Sequence, residues 1–138
     1  MAVLRRFAPD ALAALFAVSG VAHLVRPSMY AALIPPFLPA PGPIIAISGL
    51  AEVVCAAGLL RRARWAGPTS ALLLVAVFPG NVWFAVSAAA EPATAAGVIG
   101  AALLRLPLQA PLIWAALQSK PRETVDGRAA RRDRKSVV

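Results

Sequence analysis

Charge is what this chain has least of. Only 14% of its 138 residues are charged, whereas 59% are hydrophobic. A soluble domain of this size needs roughly a quarter of its residues charged to cover its surface, so the composition points to an integral membrane protein. Cysteine is nearly absent. Cys55 stands alone, which excludes an internal disulfide and any CxxC redox pair. The lone His23 excludes a bis-histidine haem site within one chain. No metal or disulfide chemistry is expected. Acids are also scarce, and the net charge is +8. Such an excess could serve nucleic acid, but the basic residues flank apolar runs and so read as topology signals. No nucleic-acid partner is expected.

What the chain does have is apolar sequence in four blocks, at about 8–25, 44–60, 65–90 and 94–117. A helix of about 20 residues, rising 1.5 Å each, crosses a hydrocarbon core of roughly 30 Å. The expected fold is therefore all-α, a four-helix membrane bundle over 1–119. A basic tail over 120–138, with little to bury, should be disordered and cytoplasmic, with a charge that suits contact with anionic lipid. The N-terminal block resembles a secretory signal, with Arg5-Arg6 before an apolar run. Three more spans follow it, however, and His23 and Arg26 stand where a cleavage site would be.

Orientation follows from the cations. Arg5 and Arg6 precede the first block, Arg61, Arg62 and Arg64 join the second to the third, and the tail carries seven more. With four spans all three segments fall on one side, so both termini are expected in the cytoplasm. Trp65 and Trp114 should then lie toward the inner leaflet and Trp83 toward the outer, as an aromatic belt. Only Arg26 and Arg105 fall outside the pattern. The outer loop "RPSMYAALIPPFLPAPGP" at 26–43 holds six prolines. Pro27 can open a short helix through Ile34. "PPFLPAPGP" should be extended, as a stiff tether or a lid.

Each span carries polar residues that a lipid-facing helix would avoid. Ser19 and His23 are four apart; Ser48, Gly49, Glu52 and Cys55 share one helical face; Asn81 follows Pro79; Arg105 and Gln109 are again four apart. At 1.5 Å per residue Glu52 lies about 13 Å from the outer surface, and His23 and Asn81 about 21 and 24 Å from the inner one. Arg105 lies roughly 16 Å down from the outer surface. All sit at the midplane or in the outer half. A charge at the bilayer centre costs at least about 2.5–3.5 kcal/mol. Glu52 and Arg105 are the only opposite charges available to each other within the spans, so an ion pair between them is expected, ringed by Asn81, Gln109 and His23. Such a pair either fixes helix register or frames a ligand site. His23, nearest the surface, should be the most solvent-accessible and could carry a proton. Pro107 is comfortable only in a first helical turn, so the fourth span is expected to start or break near Arg105.

"SGVAHLVRP" at 19–27, "IPPFLP" at 34–39, "SGLAEVVCAAGLL" at 48–60, "AVFPGNVW" at 76–83 and "RLPLQAPLIW" at 105–114 together resemble the DoxX family of small four-helix membrane proteins. The resemblance covers about Ala8 to Leu117. It implies a four-helix bundle in the bacterial cytoplasmic membrane and a link to redox systems. The family takes its name from a small subunit of a thiosulfate:quinone oxidoreductase. The fold implied also resembles quinone-linked disulfide-forming enzymes, whose activity needs cysteine pairs that this chain lacks.

These readings converge on a redox-linked accessory membrane protein, not a stand-alone enzyme. It would have an outward-opening polar pocket of His23, Glu52, Asn81, Arg105 and Gln109 for a quinone head group or another small polar molecule. A redox protein is the expected partner besides the lipid bilayer. The alternatives are a transporter, which would require an oligomer, and a purely structural or assembly subunit.

Overall fold

A computed structural model describes residues 2–119; the basic tail lies outside them. Four helices follow one another: α1 (Ala2–Val25), α2 (Pro41–Leu60), α3 (Ala66–Ala90) and α4 (Ala96–Leu117). A 3-10 helix, Pro27–Leu33, bridges α1 and α2. There is no strand among the described residues, and all four long helices are apolar enough to cross a membrane.

Helix boundaries follow the apolar blocks closely at 60, 66, 90 and 117. Two ends differ. α1 begins at Ala2, six residues before its apolar block, because the two arginines continue the helix instead of merely flanking it. α2 begins at Pro41, so Pro41-Gly42-Pro43 form its first turn and are not an extended tether. Proline is suited there, since a first-turn amide has no helical acceptor. The turn into α2 is made by Ala40, whose φ of 54° lies in the left-handed region.

α4 corrects the expectation of a broken fourth span. It runs without interruption through Pro107 and Pro111. Each ring removes one amide and crowds the carbonyl four residues back. The two prolines lie four apart on the exposed face of α4, so both perturbations fall on one side and the helix can absorb them by bending. α3 likewise continues through Pro79.

Consecutive helices pack antiparallel, and α4 returns against α1 to close a ring, which leaves α2 and α4 diagonal to each other. The closest partnerships are α1 with α2 and α3 with α4. One end of the bundle, the terminal end, holds the starts of α1 and α3 and the ends of α2 and α4. Its core joins all four helices through Leu12, Phe16, Cys55, Leu59, Ala66, Leu74 and Ala116. At the opposite, distal end a separate small core, Ala85, Ala88 and Ala102, belongs to α3 and α4 alone. α3 and α4 leave most of their surface uncovered, with Leu72, Val75, Val86, Leu103 and Leu104 all exposed.

Helix lengths set up the distal end. From the shared core level at Leu12, α1 rises only about 20 Å to Val25, whereas α2 from Leu59 to Pro41 rises about 27 Å. α3 from Ala66 to Ala90 spans about 36 Å. α1 therefore stops well short, and the 3-10 helix fills the space above it. The carbonyl of Leu33 comes so near α3 that a Cβ on Gly80 would stand 3.0 Å from it. Phe37 meets Trp83 edge to face at 6.1 Å.

Candidate functional site at the α1–α2 crossing

Two glycines bring α1 and α2 into backbone contact. A Cβ on Gly20 would stand 2.6 Å from the carbonyl oxygen of Gly49, and one on Gly49 would stand 2.5 Å from His23 Cβ. No side chain fits at either position. Small residues at such crossings let membrane helices approach closely, and here the approach has a chemical result. It sets His23, one turn beyond Gly20, against Glu52, one turn beyond Gly49.

His23 Nδ1 lies 3.6 Å from Glu52 Oε2, within ion-pair range but beyond a hydrogen bond. The same nitrogen lies 2.8 Å from the backbone carbonyl of Ser19 and 3.5 Å from the Ser19 hydroxyl. A carbonyl only accepts, so Nδ1 carries a hydrogen and donates it there. In a neutral ring that leaves Nε2 as the acceptor. Tyr30, from the 3-10 helix, stacks on the imidazole with centroids 3.6 Å apart and the planes 24° from parallel. His23 and Glu52 are 9% and 8% exposed, and Glu52 Oε2 has no hydrogen-bond partner. A buried acceptor left open is uncommon and needs an account.

Below Glu52 the polar line continues. Cys55 is buried on the same face of α2 and lies against Ser70 of α3, whose fully buried hydroxyl also lacks a hydrogen-bond partner. Thus Ser19, His23, Glu52, Cys55 and Ser70 form a polar seam through the interior across three helices.

The expected five-residue cluster divides into separate places. The Glu52–Arg105 pair does not form: Glu52 meets His23, while Arg105 lies exposed with its guanidinium 5.8 Å over the ring of Phe84. Ring order is the reason, because α4 stands diagonal to α2. Gln109 is buried, and its amide donates to the backbone carbonyl of Leu74, fastening α4 to α3. Asn81 is half-buried and makes no side-chain hydrogen bond among the described residues. His23 is not the accessible residue expected, because α1 ends early and Tyr30 closes over it. Tyr30 and Ser70 were not singled out from sequence. Tyr30 offered one signal, as the chain's lone tyrosine just past the end of α1; Ser70 offered none.

The fold and the site together define a multi-pass, all-helical membrane protein with a histidine–carboxylate pair at its α1–α2 crossing. Domain of unknown function (DUF8561) matches residues 12–120, and the chain belongs to that family. Neither the curated proteins nor the solved structures contain a match to this chain.

Proposed function

We propose that the protein is a DoxX-like, redox-linked accessory subunit of the bacterial cytoplasmic membrane. Both termini are cytoplasmic, and the His23–Glu52 pair binds the head of a quinone or a similarly flat polar molecule. One observation carries the reading: a carboxylate oxygen, buried and unpartnered, stands beside a histidine beneath a stacked tyrosine. A quinone ring presents two carbonyl acceptors. A protonated Glu52 can donate to one of them, and its carboxylate can accept from the hydroxyl of the reduced form. The planar Tyr30–His23 stack offers a face of matching shape. The low dielectric strengthens each such bond. Cys55 has no second thiol in the chain to pair with, so electrons would come from a partner protein. Gln109, occupied with Leu74, serves packing in this reading.

The test is saturable binding of a short-chain quinone to purified protein in nanodiscs, read by quenching of tryptophan fluorescence. Affinity should fall at least tenfold in Glu52→Gln and in His23→Ala. No saturable binding by the wild type would end the proposal. Unchanged affinity in both variants, with lowered stability, would instead favour a structural subunit whose pair serves only helix register.

A further inference from the structure

We propose that Arg105, braced on Phe84, anchors a phospholipid by its phosphate in the leaflet at the distal end of the bundle. This inference is independent of the quinone reading. Arg105 is the tenth of the 22 residues of α4 and lies exposed on its outer surface. It makes no ion pair among the described residues, whose salt bridges are His23–Glu52 and Arg62–Asp10. A permanently charged guanidinium facing hydrocarbon must find an anion or reach the headgroups.

The geometry shows which way it reaches. Ala102 packs with Ala85 and Ala88, and Gln109 bonds Leu74, so Arg105 stands level with the stretch of α3 between Leu74 and Ala85. Phe84 is at the distal limit of that stretch. The guanidinium over its ring has therefore leaned toward the distal headgroups, the direction in which helical side chains incline, toward their own N-terminus. The aromatic face holds it there. Asn81, one turn from Phe84 on the same face of α3, is half-buried and has an amide without a partner among the described residues.

A planar fork of donors suits the two free oxygens of a phosphodiester. Among the described residues, no acid of a second copy is free to supply the anion at this depth. Glu52 is buried beside His23, Asp10 pairs with Arg62 at the terminal end, and Glu91 lies in the α3–α4 turn, accepting from the amide of Ala93. The phosphate of a bilayer lipid is the occupant that matches in charge, shape and position.

The full chain, purified in mild detergent, should retain phospholipid when examined by native mass spectrometry. Arg105→Leu should retain at least fivefold less, and Arg105→Lys an intermediate amount because it keeps the charge but loses the fork. Millimolar inorganic phosphate should not displace the lipid. The position is exposed, so the leucine variant should keep the wild-type unfolding midpoint; if it does not fold, Arg105→Gln carries the same expectation. Three outcomes overturn the proposal. They are equal lipid retention in the leucine and glutamine variants, displacement by inorganic phosphate, and loss of a protein partner or of oligomers with lipid retention unchanged.

Discussion

A carboxylate in the middle of a membrane helix must be neutralised or paired, and the residue that meets Glu52 is a histidine one helix away. Removing His23 leaves the carboxylate buried beside only Ser19. We expect His23→Ala to lower stability by about 1–3 kcal/mol, the usual cost of orphaning a buried polar group. Glu52→Gln in the same background should recover part of that loss, giving a coupling of about 0.5–3 kcal/mol in a double-mutant cycle of thermal unfolding. Strict additivity would show that the two side chains do not interact. That Glu52 needed a partner was legible in the sequence, because a charge stands out in an apolar span. Which partner was not legible. Arg105 is the stronger counter-charge, but pairing depends on which helices are neighbours, and α4 lies across the bundle from α2. Spacing also misled at Arg105 and Gln109. Residues four apart differ by about 40° around a helix, and the edge of the α3–α4 interface falls between them.

Among the helices, glycine separates contact from open surface. Gly49→Ala would press a methyl group into His23 and Gly20, and we expect it to lower stability by about 1–3 kcal/mol, as overpacking does. Gly100 meets nothing within 4 Å of its Cβ position. There the same substitution should raise stability by about 0.5–1 kcal/mol through helix propensity. Unfolding of both variants in one detergent is the measurement, and equal effects would contradict the crossing. The spans were readable from their apolar lengths, and all four of their C-terminal ends were placed to the residue. Proline was the poor guide. Pro41 and Pro43 start a helix where an extended strip was expected, and Pro107 and Pro111 sit within α4. In water a mid-helix proline usually ends a helix, but a membrane offers the freed carbonyls no better alternative than to stay helical.

The whole molecule is organised by its cations. The start of α1 and the α2–α3 turn carry Arg5, Arg6, Arg61, Arg62 and Arg64 at one end of the bundle, and the distal end carries Arg26. In a Cys55→Ala background, Ser28→Cys should react in intact cells with a membrane-impermeant maleimide, and Arg64→Cys should not. The reverse pattern would invert the orientation. Up-and-down topology was legible from alternating apolar blocks and basic turns. The early end of α1 was not, since nothing in its composition marks the level at which its neighbours continue.

The scant coverage of α3 and α4 has a thermodynamic consequence. Most of the apolar surface of those two helices is met by whatever surrounds the bundle, so the surrounding lipid or detergent enters the folding equilibrium by mass action, as any species that binds the native state does. An unfolding midpoint then belongs to the chain and its amphiphile jointly. Midpoints measured in two detergents, or at two lipid ratios, describe two different equilibria.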